Sequence, residues 1–348
     1  MKFGFYSPYL DTYGGGERYM LTLASYLSQN HDVDIFWNDQ TIKPLLARFL
    51  KIDLSKCNFV SNIFTNGISN KFATLKYDWT FILSDGSVPT TFAKKNILHF
   101  QVPFKFETLD IKTKLKLKKY KWIITNSNFT KQYIDKSFSV KSKVIYPPVD
   151  IKSIKPGIKE NIIMSVGRFS AHQLHPKKQE ILIEVFKEIY KKTPDWKLIL
   201  VGQAKKDDQK YLRALRKSAR GFAIKIIDNM LIGNLRKLYA TSSIYWHATG
   251  FGEDEIKNPE RMEHFGISTV EAQAAGAVPI VIAKGGQKEI VTDGKNGRLW
   301  ETKSQLYEIT LELINNQQKL QKLSDQAIKN SKRFGQELFF KEYEKILF

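Results

Sequence analysis

KFGFYSPYLDTYGGGERYMLTLASYLSQNHDVDIFW, residues 2–37, holds a strand, a glycine loop, a helix and a second strand in one short length. KFGFYS (Lys2 to Ser7) reads as the first strand, and YGGGERYMLTLASYLSQN carries the loop into the helix. Met20, Leu21, Leu23, Ala24 and Leu27 recur with the 3.6-residue spacing that puts them on one helical face. DVDIFW (Asp32 to Trp37) is the next strand. Strand, helix and strand in this order predict a βαβ unit, and with it a parallel sheet.

The same alternation continues outward. Short apolar runs follow in TFILSD near Phe81, NILHF ending at Phe100 and KWIITNSN around Ile123. VKSKVIYPPVD closes this half, because Pro147-Pro148 cannot continue a sheet ladder. After KSIKPGIKE the pattern restarts with NIIMSVGRFS, then the amphipathic helix QEILIEVFKEIYKKTP and the strand WKLILVGQ. AIKIID, SSIYWHA and VPIVIA supply three further strands. The expectation is an α/β protein of two Rossmann-like domains, 1–150 and 158–334, facing across a cleft. A length of 348 residues also favours two cores over one. The tail GQELFFKEYEKILF, about 335–348, is amphipathic and either caps the second domain or crosses back to the first.

Composition sets further bounds. With 42% apolar and 13% aromatic residues the chain is globular, not disordered. No apolar run is long enough to span a bilayer, and the N-terminus reads as a strand, not a targeting segment. A single cysteine, Cys57, excludes an internal disulfide and fits a reducing cytoplasm. The net charge of +20 is mostly diffuse lysine. It is densest in FKFETLDIKTKLKLKKYKW, where seven lysines between Lys105 and Lys121 face Glu107 and Asp110. That run is either a solvated helix face or a surface drawn to an anionic membrane. No RNA- or DNA-recognition motif accompanies the charge, so nucleic acid is not an expected partner.

Several residues stand out as chemistry. Gly14-Gly15-Gly16 lies between a strand and a helix start, where glycines admit a close ligand and free N–H groups attract a phosphate; a plain tight turn fits equally. Arg168 follows a strand directly, and Lys177 and Lys178 open the next helix. Cations at that end oppose the helix dipole unless an anion sits nearby, and together they suit a diphosphate. In MEHFGISTVEAQAAGAVP, residues 262–279, Glu263 precedes a Phe-Gly-Ile turn and Glu271 falls in the first turn of a helix starting near Ser268. Structurally these are a loop charge and a helix-start acid. As ligand groups, each carboxylate would accept paired bonds from vicinal hydroxyls, while N–H groups from Phe265 through Gly266 and Ile267 to Ser268 would face a phosphate. No HExxH or cysteine pair is present, so no metal site is expected.

The E-x7-E pair in EHFGISTVEAQAAGAVPIVIAKGGQKEIVTDGKNG resembles the signature of the retaining glycosyltransferases of family 4, which have the two-Rossmann GT-B fold. YGGGERY, ITNSNFT, VIYPPVD and SVGRFS extend the resemblance over almost the whole chain. NPERM before EHFG, with GGGER, is most similar to the branch adding mannose to lipid-linked oligosaccharides. The resemblance implies roles. Glu263 would contact the donor sugar's hydroxyls and Glu271 the ribose. Arg168 and Lys177 would bind the diphosphate, with Lys178 the alternative. Gly15 and Gly16 would border the phosphates. His99 in LHFQVP would lie near the reacting sugar, with His247 in YWHATG lining the cleft. The insertion GFGEDEIKNPERM departs from the shortest family pattern.

The function so implied is metal-independent, retaining transfer of a mannose- or glucose-type sugar. A nucleotide sugar, GDP-mannose or a UDP-sugar, is the donor and co-substrate, with no further cofactor. The acceptor is a glycan or lipid-linked molecule, reached in the cytoplasm or on the inner face of a membrane. The same fold also serves epimerases and phosphorylases, and the charge alone would allow a membrane- or polyanion-binding protein.

Overall fold

The computed structural model describes residues 1–348 apart from Tyr13, Thr65, Asn66 and Glu107, and of Ile68 and Ser69 the backbone alone. The chain divides into two compact units, Met1–Pro148 with Glu337–Phe348, and Val149–Gln336.

The first unit is built on seven parallel strands: β1 (Lys2–Tyr6), β2 (Asp32–Phe36), β3 (Cys57–Val60), β4 (Trp79–Ser84), β5 (Lys95–Phe100), β6 (Trp122–Thr125) and β7 (Lys143–Val144). Their order is β3-β2-β1-β4-β5-β6-β7. Side chains alternate across a strand. Accordingly Phe3, Phe5, Val33, Ile35, Phe81, Leu83 and Ile97 share one core, and Ile82, Leu98 and Phe100 fill another with Ile134 and Phe138. The helix Gly15–Leu27 lays Tyr19, Met20, Leu23 and Leu27 into the first core. The tail helix Gln336–Leu347 joins the same core through Phe339, Tyr343, Ile346 and Leu347. Each such buried side chain contributes roughly 1.5–3 kcal/mol. The Tyr19 and Tyr343 hydroxyls meet at 2.9 Å, and Trp122 Nε1–H donates to Ile346 O at 3.3 Å.

The second unit has six parallel strands: β8 (Glu160–Val166), β9 (Lys197–Gly202), β10 (Ile224–Asp228), β11 (Ser242–His247), β12 (Val278–Ile282) and β13 (Arg298–Trp300). Their order is β10-β9-β8-β11-β12-β13. The order reverses at β8, which pairs with β9 on one side and β11 on the other. In such a sheet the ligand crevice opens beyond the carboxyl ends of the two strands flanking the reversal. Here those ends are Val166 and His247.

Three strands escaped the pattern. Cys57–Val60 alternates buried and open positions over only four residues, Lys143–Val144 has two residues and Arg298–Trp300 has three. Each is held by its neighbours' ladder more than by its own apolar content. The helix after Phe265 runs Ile267–Ala274, so Glu271 stands in its second turn and not its first. Lys178 is the N-cap of the helix Gln179–Tyr190, in the left-handed region at φ 53°, and Lys177 precedes it.

Candidate active site

Each part of the site in the second unit is delivered by the end of an element. β8 ends at Val166, and Gly167-Arg168 turns off its carboxyl end. Arg168 is exposed, and its guanidinium has no hydrogen bond or ion pair among the described residues. A Cβ at Gly167 would stand 2.6 Å from Lys177 Cγ, so the absence of a side chain there lets the Lys177 stem lie across the turn. Gln179, buried at the helix start, donates to the carbonyls of Gly167 and Arg168 and fixes the turn.

Lys177 Nζ reaches Glu263 Oε2 at 2.6 Å, with the two side chains 14% and 15% exposed. The last residue of β11, His247, is 2% exposed and brings Nε2 to the same oxygen at 3.0 Å. Glu263 Oε2 therefore receives two donors, and Oε1 receives none among the described residues. Burial pushes the Glu263 carboxyl up, but Lys177, His247 and His175 outweigh it and hold the group well below the usual range. Burial also lowers His247, against the pull of Glu263. A neutral imidazole donating Nε2–H to an ionised carboxylate satisfies both directions, and it leaves Nδ1 buried without a partner. Thr249 Oγ1 lies 3.3 Å from the same Nε2.

The loop carrying Glu263 is clamped from behind. Gly286 N–H donates to Glu263 O at 2.7 Å. A Cβ on Gly285 would come within 2.4 Å of that oxygen, and one on Gly286 within 2.6 Å of His264 O. Only a glycine pair lets these two backbones touch. Gly266 has φ +119°, open to glycine alone, and starts the helix Ile267–Ala274. The first bonds back to Gly266 O come from the N–H groups of Thr269 and Val270, so those of Ile267 and Ser268 belong to the helix end that attracts anions. Phe265 serves the loop from inside, 3% exposed with its ring edge-on to Phe334. Glu271 accepts from Tyr239 O–H at 3.1 Å.

The insertion is an anchored element. Lys178 Nζ binds Glu253 at 3.1 Å, and Arg261 binds the same carboxylate at 3.2 Å. Glu255 accepts from Gly285 N–H and from Lys288. Of the two lysines, then, Lys177 belongs to Glu263 and Lys178 to the insertion. Sequence reasoning missed the Gly285-Gly286 clamp, Glu253, and His175, whose ring stands 4.8 Å from His264 and whose Nδ1 is buried without a partner. A repeated glycine outside a hairpin was the available signal for the clamp.

The other predicted residues lie in the first unit. His99 is fully buried, stacked on Tyr19 with centroids 4.0 Å apart. Its Nε2 meets Gln101 Nε2 at 3.1 Å, and burial lowers it to about 3. These contacts are those of a packed ring, and its expected place beside a sugar stays a proposal. Gly14 is the N-cap of the helix Gly15–Leu27, and Glu17 accepts from Gly14 N–H and Thr12 O–H, both at 2.8 Å. Gly15 is exposed; Gly16 faces Gln101 and Leu83, each 3.1 Å from where a Cβ would be. The helix end beside these glycines thus already carries a carboxylate. Among the described residues no group of three His, Cys, Asp or Glu is arranged to hold a metal ion.

Lys177 fixed on Glu263, an open carboxylate oxygen and a helix start thus stand together beyond the strand ends, chemistry that suits hydroxyl and anionic groups. Residues 149–333, more than half of the chain, match the glycosyl transferases group 1 family, and the chain belongs to it. It is 28% identical over 251 residues to a GDP-Man:Man(3)GlcNAc(2)-PP-Dol alpha-1,2-mannosyltransferase of Dictyostelium discoideum, covering 65% of this chain and 47% of the relative. An uncharacterized glycosyltransferase of Methanocaldococcus jannaschii is 30% identical over 221 residues, covering 62% and 56%. The chain therefore spans about half the length of these relatives. The structure of Anabaena HepE in complex with UDP and glucose superposes with TM-score 0.74 at 19% identity, covering 100% of this chain and 99% of that one. That likeness shows the GT-B fold.

Proposed function

We propose that the protein is a retaining, metal-independent glycosyltransferase. It moves a mannose- or glucose-type sugar from a nucleotide diphosphate sugar, GDP-mannose or a UDP-sugar, to a glycan or lipid-linked acceptor. The observation that carries the reading is Glu263: Oε2 fixed by Lys177 and His247, Oε1 open, at the carboxyl end of the strands flanking the sheet reversal. The GDP-mannose-dependent activity for which the Dictyostelium relative is named and the UDP and glucose bound by HepE support it.

In this reading the Val149–Gln336 unit binds the donor, and the first unit is assigned to the acceptor. Glu263 Oε1 accepts from the sugar's hydroxyls and Glu271 from the ribose. Arg168, Lys177 and the N–H groups at Ile267 and Ser268 face the diphosphate. The bond from the anomeric carbon to the diphosphate oxygen breaks as positive character develops on that carbon. Arg168 and Lys177 oppose the charge building on the leaving group. The acceptor hydroxyl attacks from the face the leaving group departs, and its proton passes to the departing phosphate oxygen. The proposed station is the cytoplasmic face of an anionic membrane, held peripherally, with no nucleic-acid partner. Among the described residues no helix is long and apolar enough to cross a membrane.

Thermal shift with UDP, GDP, ADP and their sugars tests the donor. A true binder at a hundredfold excess over its Kd stabilises the fold by about 2.7 kcal/mol. No shift with any of them overturns the reading. NMR of the product's anomeric configuration tests retention, and activity after EDTA treatment tests independence from metal.

A further inference from the structure

Eight large apolar side chains between residues 2 and 148 are exposed; three of them, Phe106, Ile111 and Leu115, fall in the lysine-rich stretch Lys105–Lys121, and two more, Phe72 and Leu75, on an element that meets it. Phe72 and Leu75, on the short 3-10 helix Phe72–Lys76, are 53% and 59% exposed. Phe106 is 42% exposed, and Ile111 and Leu115, one turn apart on the helix Ile111–Leu117, are 75% and 57% exposed. The two elements are joined. Phe72 stacks on Phe92 at 4.5 Å, and Lys119 Nζ stands 4.8 Å over the Phe92 ring. Residues of both stretches, Lys71 with Phe106, Thr113 and Lys116, line one cavity of about 440 Å³.

Helical spacing puts Ile111 and Leu115 on one ridge, with Lys118 a turn further along it. Lys114 flanks that ridge on one side, and Lys112 and Lys119 on the other; all four lysines are exposed. Leu117 is the helix's buried contact with the unit. Asp110 spends its carboxylate on the helix start, accepting from Thr113 N–H at 2.8 Å, and Glu107 lies outside the described residues. An apolar ridge between rows of lysine is the pattern of a helix lying in a bilayer interface: ammonium groups at anionic headgroups, aliphatic tips among the first methylenes.

We propose that Phe72, Leu75, Phe106, Ile111 and Leu115, ringed by Lys112, Lys114, Lys118 and Lys119, form an insertion face for an anionic lipid bilayer. Charge complementarity selects this occupant: a second copy of the chain would set the same lysines against each other. The inference rests on the proposed station at a membrane, yet its test does not pass through sugar transfer.

The full chain is sedimented with phosphatidylcholine vesicles with and without one-quarter phosphatidylglycerol. Binding is expected only with the anionic lipid, falling as salt rises. Replacing the four lysines together by glutamate lowers partitioning by at least roughly tenfold. Ile111→Ser with Leu115→Ser weakens binding and abolishes what persists at high salt, while both variants keep the melting temperature of the parent. Glu263→Gln binds vesicles as the parent does, which separates this surface from the reaction. Equal binding to neutral and anionic vesicles, or parent-like binding by both surface variants, overturns the proposal. So does a parent chain that elutes as a dimer and becomes monomeric when Ile111 and Leu115 are replaced.

Discussion

His99 and His247 both stand near the carboxyl end of a parallel strand, and both are buried, yet they do opposite things. His99 stacks on Tyr19 in the first unit with no carboxylate beside it. His247 in the second bonds Glu263. The first is part of a core that happens to contain imidazole; the second holds a charged group in place. Burial of a histidine therefore identifies nothing by itself. What separates packing from a site is whether the buried ring has an ionisable partner that keeps one atom open.

The sharpest way to break this contrast is Glu263→Gln. A neutral amide loses the pull of Lys177, and sugar transfer should fall by roughly 10²–10³-fold in kcat with the melting temperature little changed. Activity within tenfold of the parent would remove Glu263 from the chemistry.

A second test uses acid. Both histidines have pKa values below the ordinary 6.5, so each is neutral when folded but binds a proton when unfolded. Their contribution is complete above about pH 6.5 and is lost as pH falls. For His99, which titrates at about 3 in the fold, the loss should reach roughly 3 kcal/mol by pH 4. His99→Phe should flatten that slope in denaturant titrations run from pH 7 to 4, and an unchanged slope would contradict the packing reading. Glu263, held low, contributes in the opposite charge sense but in the same direction: its stabilisation is complete above the ordinary carboxylate range and is lost as pH falls from there toward its own depressed value.

Gly285→Ala probes the clamp. The added carbon would meet Glu263 O at 2.4 Å with φ at +59°, and we expect about 2 kcal/mol of destabilisation together with weakened donor binding in thermal shift. The smallest effect should come from Lys178→Ala. Arg261 still holds Glu253, so stability should change by less than about 1 kcal/mol, and transfer should stay within about threefold. A loss matching that of Lys177→Ala would show that the two lysines share one role.

Local pattern decided a large part of this molecule. The 3.6-residue spacing in 20–27 and the apolar runs at β1, β2, β8, β9 and β12 follow from sterics and burial over a few residues, so they are legible one segment at a time. The signature around Glu263 and Glu271 was equally visible, because it is contiguous. Tertiary structure alone decided the partners. Lys177 meets Glu263 across 86 residues and Lys178 meets Glu253 across 75, and neighbouring lysines of the same type cannot announce which carboxylate each will find. The tail helix was amphipathic on paper but could have covered either unit; Tyr19 and Tyr343 chose the first. Spacing reports which face a residue takes, whereas pairing depends on where distant backbones bring their ends. That is the physical reason the clamp of Gly285 and Gly286, and the enclosure of His99, came only with the fold.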